Sequence, residues 1–70
     1  QKQSEELDDY VKTYSSMKAK NAAAIFDTMV GNNSQLVADI LNAMDAESRA
    51  NILAAMNADN AAIITEILEP

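Results

Sequence analysis

The residues that could do chemistry in this chain are carboxylates and hydroxyls, because the sequence has no cysteine and no histidine. Without a histidine, the serines and threonines lack the general base of a Ser-His-Asp site. The single glycine excludes a glycine-rich phosphate loop. Adjacent acids such as Asp8 and Asp9 point in different directions on a helix and make poor glycosidase pairs. We therefore predict that the chain is not an enzyme.

Three acids, Asp45, Glu47 and Asp59, are the candidates for holding a metal ion. Mg²⁺ needs only one or two carboxylates with bound water, so weak Mg²⁺ binding is one interpretation. No EF-hand loop fits, because the glycine and the acidic spacing of that loop are missing. All three acids stand near predicted helix starts, where an acid caps the helix or interacts favourably with its dipole. We favour capping, and we predict no cofactor and no dedicated metal site.

Helices are the elements that must position these residues. Alanine, the best helix former, is abundant, whereas glycine and proline occur once each, as Gly31 and Pro70. β-branched residues are too sparse and scattered for strands. The composition therefore predicts an all-α chain.

A twelve-residue repeat divides most of the chain into short helices. Met44 and Met56 are twelve residues apart, Leu68 takes the next such position, and Met17 and Met29 show the same spacing. Within each unit the apolar residues recur at steps of three or four, which places them on one helix face. Helices of about ten residues are unstable alone in water and must stack on their neighbours. We predict a compact right-handed superhelical stack of about five short helices.

The segment 1–16 is predicted to be an amphipathic lead-in helix ahead of four repeats in residues 17–70, the two parts forming one single domain. Its apolar stripe consists of Leu7, Tyr10, Val11, Tyr14 and Met17. We expect Tyr10 and Tyr14 to cover the first repeat helix. The same stripe is compatible with the end of an upstream coiled coil, which would allow a homodimer through this helix.

Capping residues agree with the helix boundaries that the repeat predicts. Ser4, Asp45 and Asn57 are expected N-caps of the lead-in helix and of the last two repeats. Gly31 suits the C′ position that ends the first repeat helix, with Asn33 or the next residue opening the second.

The predicted core is aliphatic and rich in methionine. Its members are Tyr14, Met17, Ala22, Ile25, Phe26, Met29, Val37, Ile40, Leu41, Met44, Ile52, Leu53, Met56, Ile64 and Leu68. The methionines share one inter-helix position, so we favour core filling over an exposed groove for partner helices. A part-exposed patch of the remaining apolar residues would form a docking site for a partner. These partner-binding candidates are Tyr10, Val30, Leu36, Ile63 and Ile67.

The net charge of −6 comes from the alanine-rich part of the chain. Residues 1–20 carry four lysines and four acids, whereas residues 21–70 carry Arg49 against seven acids. This excess of acidic over basic residues argues against nucleic acid as a partner, since phosphate binding needs a basic patch. We favour solubility as the role of the charge, with a basic partner surface or weak divalent-cation binding as functional alternatives. No apolar run approaches the roughly 18 residues of a membrane span, so any membrane contact is expected through segments outside this chain.

Three segments resemble a known family. The run 14–29, YSSMKAKNAAAIFDTM, looks like the opening of the MgtE N-terminal-like domain. The segments 40–46, ILNAMDA, and 52–62, ILAAMNADNAA, are similar to the recurring Met-Asp-Pro-x-x-Ala-Ala pattern of that domain. The proline that follows the cap in the family is replaced here by Ala19, Ser34, Ala46 and Ala58. Proline at that position is favourable but dispensable.

The resemblance covers residues 10–69 and implies armadillo/FliG-like helical repeats. Four units behind an amphipathic helix look more like the flagellar MotE type. That implies a non-enzymatic protein–protein interaction domain of a bacterial flagellar or motility-associated protein, acting as a chaperone or adaptor. The alternative is the cytosolic regulatory domain of an MgtE-type magnesium transporter. The implied partner is a flagellar or membrane-associated protein, at the cytoplasmic or periplasmic face of a bacterial inner membrane.

Overall fold

The computed structural model describes residues 4–69, and all regular structure in that range is helical. The four helices are α1 (Glu5–Ser15), α2 (Ala19–Ala43), α3 (Ala46–Ala55) and α4 (Ala58–Leu68). The long helix α2 packs against each of the other three. The Cα radius of gyration is 10.9 Å, which matches the roughly 11 Å expected for a folded chain of this length. The all-α prediction is confirmed.

The number of helices differs from the predicted five. Residues 19–43 form one kinked element, α2, made of two helical segments that meet at Asn33, where the backbone is non-helical (φ −151°, ψ 69°). Gly31 is predicted to occupy the C′ position that ends the first repeat helix, where glycine commonly takes a positive φ, but it has no positive φ and lies within α2. The Oδ1 atom of Asn33 accepts a hydrogen bond from the backbone nitrogen of Leu36 at 3.2 Å, as an N-cap does. The chain therefore changes direction at Asn33, which caps the second helical segment without a separate loop. The prediction that Asn33 or Ser34 opens the second repeat helix is confirmed for Asn33.

The starts of three helices follow the predicted capping chemistry. In each, a side-chain oxygen accepts a hydrogen bond from a backbone nitrogen of the first turn: Ser4 from Leu7 (3.0 Å), Asp45 from Ser48 (3.2 Å) and Asn57 from Asp59 (2.9 Å). These N-cap predictions are confirmed. Lys18, which precedes α2, makes no side-chain capping bond.

The tripeptide methionine–cap–alanine occurs at three helix junctions, at residues 17–19, 44–46 and 56–58. Met44 and Met56 have almost the same extended backbone, with ψ of 160° and 161°. Both side chains are buried, which confirms their prediction as core residues. The twelve-residue spacing thus corresponds to the distance along the chain from the start of α3 to the start of α4.

The core is built mainly on α2. Its buried members are Ala22, Ala23, Phe26, Val37, Ala38, Ile40, Leu41, Met44, Ile52, Met56 and Ile64. Five further predicted core residues are only partly buried against it: Tyr14, Met17, Met29, Leu53 and Leu68. The rings of Tyr14 and Phe26 are 4.8 Å apart between centroids, which confirms that Tyr14 covers the first part of α2. The same prediction is wrong for Tyr10, which is 43% exposed and lies beside Leu36 in the second half of α2.

The prediction of Ile25 as a core residue is wrong. Ile25 is 36% exposed, whereas its neighbours Ala22, Ala23 and Phe26 are fully buried. Successive residues on a helix are about 100° apart, so a face centred between Ala22, Ala23 and Phe26 leaves Ile25 at its edge. The small side chains of Ala23 and Ala38 fill core positions that the periodicity of large residues did not reveal.

Candidate docking site

An open groove lies between α1 and the second half of α2. It has a volume of about 190 Å³ and is lined by Ser4, Glu6, Leu7, Tyr10, Leu36 and Asp39. Leu7 and Leu36 are partly buried against the core, and Tyr10 is 43% exposed. The structure thus brings together two of the five partner-binding candidates, Tyr10 and Leu36, although they are 26 residues apart in the chain.

Local features of the sequence position each wall of the groove. On α1, Leu7 and Tyr10 are three residues apart and share a face of the helix. On α2, the capping bond from the Leu36 backbone nitrogen to Asn33 fixes the turn that carries Leu36. The kink at Asn33 therefore sets the direction in which the second half of α2 faces α1.

The rim of the groove is acidic. Among the described residues that line it, the charged ones are Glu6 and Asp39. The Oδ1 atom of Asp39 accepts a hydrogen bond of 2.9 Å from Nε2 of Gln35, one helical turn away. This bond restrains the Asp39 carboxylate, which lines the groove together with the apolar side chains of Leu7, Tyr10 and Leu36.

The size of the groove suits a side chain better than a cofactor. Pockets for drug-sized ligands and cofactors have volumes of roughly 300–1,000 Å³, well above the 190 Å³ of this groove. A tyrosine with an exposed ring also offers both an apolar face and a hydroxyl, which is why tyrosine is common at protein interfaces. The arrangement can therefore hold one large apolar side chain of a partner and a positive charge beside it.

The other three partner-binding candidates do not line this groove. Val30 and Ile67 are partly buried against the core, whereas Ile63 on α4 is 44% exposed. Ile63 and Ile67 are four residues apart on one face of α4. They form a separate apolar surface, on a different helix from those that line the groove.

The three metal candidates lie at helix starts. Asp45 is the N-cap of α3, while Glu47 and Asp59 belong to the first turns of α3 and α4. Ser48 donates hydrogen bonds to the Asp45 carboxylate that lower the pKa of Asp45 below its ordinary value. The bond from the Ser48 side chain has the larger effect, and the bond from its backbone nitrogen the smaller one. Within residues 4–69 no group of three or more acidic residues is close enough together to hold a metal ion. Capping and the helix dipole account for the positions of these acids.

A second, smaller cleft lies between the end of α1 and α3. Its volume is about 110 Å³, and its lining residues are Tyr14, Ser15, Met17, Ala19, Ser48, Asn51 and Ile52. The polar groups there are hydroxyls and one amide, without a charged side chain.

Asp27 has a structural role that its sequence context does not predict. Both carboxylate oxygens of this α2 residue accept a hydrogen bond from the backbone nitrogen of Asn57 at 3.1 Å. Its Oδ1 atom also accepts one from Nδ2 of Asn60 at 3.0 Å. Asp27 therefore caps α4 from another helix, and no local pattern in the sequence indicates such a contact.

Arg49 on α3 caps the carboxyl end of α2. Its Nη1 atom donates to the carbonyl oxygens of Leu41 at 3.2 Å, Asn42 at 3.4 Å and Met44 at 3.5 Å. A positive charge beside the last carbonyls of a helix satisfies them and interacts favourably with the dipole. The sequence contains one indication of this role: Arg49 occupies a repeat position at which other units have an alanine, Ala22 or Ala61.

Within the described range, none of the helices combines the length and the apolar character that crossing a bilayer requires.

No family model, curated protein or solved structure matches the chain. The resemblance to the MgtE N-terminal-like domain therefore stays a prediction.

Proposed function

We propose that this chain is a non-enzymatic protein–protein interaction domain that docks a partner protein in the groove between α1 and α2. The observation that carries the proposal is the placement of Tyr10 and Leu36 on one open surface. Interfaces depend on a few anchor residues, among which tyrosine is enriched. Here the exposed Tyr10 stands beside Leu7 and Leu36, which two separate helices hold in place.

The resemblance of the sequence suggests the context of this interaction. It supports a chaperone or adaptor of a bacterial flagellar or motility-associated protein, in which the partner is a flagellar or membrane-associated protein. The methionine–cap–alanine junctions support the further proposal that the helices form a right-handed superhelical stack of the FliG-like kind. In that arrangement the two parts of α2, before and after Asn33, would each count as one repeat.

The proposed function is tested by photo-crosslinking in living cells. Benzoylphenylalanine is introduced at Tyr10 in the full-length protein and, as a control, at Ile25. Ile25 has a similar exposure, 36% against 43%, and does not line the groove. We expect a discrete crosslinked product at position 10 that is absent at position 25. The same products at both positions, or no product at position 10, would contradict docking in the groove.

The motility context needs a separate measurement. A Tyr10→Ser variant removes the exposed ring without touching the buried core, so the protein level is expected to stay normal. We expect cells that carry this variant to swim more slowly in soft agar. Normal swimming with the variant would argue against the motility assignment and leave the interaction domain to be tested by the crosslinks.

A further inference from the structure

We infer that the segment docking in the groove is cationic, with one large apolar side chain flanked by lysine or arginine. This inference rests on the proposed function, because it names the chemistry of the partner for the same groove. Its starting point is the combination of apolar lining residues with two carboxylates, Glu6 and Asp39, on opposite walls. No lysine or arginine among the described residues lines the groove.

The geometry favours one apolar anchor with charges beside it. A volume of about 190 Å³ is below the size of a typical small-molecule pocket, and the apolar part of its lining is Leu7, Tyr10 and Leu36. A partner side chain that enters here is flanked by Glu6 from α1 and Asp39 from α2. Buried carboxylates without a partner are costly, but carboxylates at a rim gain from a positive charge without losing all their water.

The net charge of the whole molecule disfavours the other occupants. A second copy of the chain would bring together two molecules that each carry a net charge of −6, and like charges repel over the distances at which proteins meet. Anionic lipid surfaces and nucleic acids are disfavoured for the same reason. A basic protein segment is attracted by this field and gains association rate from it.

The test measures binding of a synthetic peptide to the full chain by fluorescence anisotropy. The probe is a labelled amphipathic peptide of about twelve residues that contains one phenylalanine and four lysines. Two control peptides replace the phenylalanine by alanine or the lysines by glutamate. We expect saturable binding of the lysine peptide, at least about fivefold weaker binding of the alanine version, and no binding of the glutamate version.

Two double variants separate the groove from the general acidity of the chain. Glu6→Gln with Asp39→Asn removes the acids of the groove, and Glu47→Gln with Glu66→Gln removes two exposed acids elsewhere. Each pair raises the net charge from −6 to −4. Each exposed ion pair contributes little on its own. The groove variant removes two such pairs, so we expect its affinity for the lysine peptide to fall about fivefold. The control variant removes none of them, so we expect its affinity to fall less than about twofold. Equal losses in both variants, or no saturable binding of the lysine peptide, would overturn the inference.

The crosslinking experiment keeps this inference apart from the proposed function. One outcome is that benzoylphenylalanine at position 10 captures a partner whose affinity for the Glu6→Gln, Asp39→Asn variant equals its affinity for the unchanged protein. In that case the inference is wrong and the docking function stands. If benzoylphenylalanine at Tyr10 captures no partner, the docking function fails, whatever the peptide binds.

Discussion

The carboxylate of Asp27 accepts a hydrogen bond from the backbone nitrogen of Asn57, thirty residues further along the chain, at 3.1 Å from either oxygen. Asn57 is itself the N-cap of α4, and its side chain accepts bonds from the first turn of that helix. The start of α4 is thus held from both sides, locally by Asn57 and from α2 by Asp27. This contact joins the central helix to the last helix through polar groups at the edge of the core.

Replacing Asp27 by alanine should destabilise the fold. The backbone nitrogen of Asn57 and the side-chain amide of Asn60 would both lose their acceptor. Loss of a capping acceptor costs about 1–2 kcal/mol, measured as a lower free energy of unfolding in urea. The matched control is Glu66→Ala, which removes the same charge from an exposed position on α4. An equal loss in both variants would mean that the bond to Asn57 contributes nothing specific.

Gly31→Ala should stabilise the protein. Gly31 lies within α2 without a positive φ, and a Cβ added there would meet no atom within 4 Å. Alanine in a helix is favoured over glycine by roughly 0.5–1 kcal/mol. The midpoint of urea unfolding is therefore expected to rise. A clear fall would instead indicate that the glycine takes the left-handed conformation that ends a helix.

The capping role of Asp45 predicts a definite dependence on pH. Its pKa in the folded state lies below the ordinary value of 3.8, because Ser48 donates hydrogen bonds to the charged carboxylate. A lowered pKa means that the carboxylate stabilises the fold above the unfolded pKa, and that this contribution is lost as the pH falls through the folded pKa. An NMR titration of the Asp45 side-chain carbonyl is expected to give a midpoint below 3.8. A midpoint at or above that value would contradict the capping bonds.

Mg²⁺ should not bind saturably at Asp45, Glu47 or Asp59. These acids lie at the starts of two helices and do not form a cluster of three carboxylates. Adding MgCl₂ to ¹⁵N-labelled protein is expected to shift their amide signals only slightly and without saturation. Saturable shifts confined to these residues at millimolar Mg²⁺ would favour the alternative of a transporter regulatory domain.

Local chemistry explains what the sequence could predict of the fold. Capping depends on one side chain and the turn that follows it, so Ser4, Asp45 and Asn57 could be recognised from the sequence. The burial of Met44 and Met56 followed from their repeated spacing. Gly31 misled the prediction because glycine is tolerated inside a helix as well as after one, and only the backbone conformation distinguishes the two.

Contacts between distant segments could not be predicted in the same way. The bond from Asn57 to Asp27 depends on how α4 packs on α2, and nothing in the residues around Asp27 indicates it. The groove is a similar case, because Tyr10 and Leu36 were separate partner-binding candidates until the fold placed them on one surface. The exposed position of Ile25 depends on which side of α2 the other helices cover, a choice that periodicity alone leaves open.

The most direct test of the docking surface compares two exposed apolar residues on different helices. Tyr10 in the groove and Ile63 on α4 are 43% and 44% exposed, so replacing either by serine removes a similar exposed side chain. The affinity of each variant for the partner that is crosslinked at position 10 is measured by isothermal titration calorimetry. The groove account predicts a loss of at least about tenfold for Tyr10→Ser, as for an interface anchor, and an unchanged affinity for Ile63→Ser. A loss confined to Ile63→Ser, or an equal loss in both variants, would contradict it.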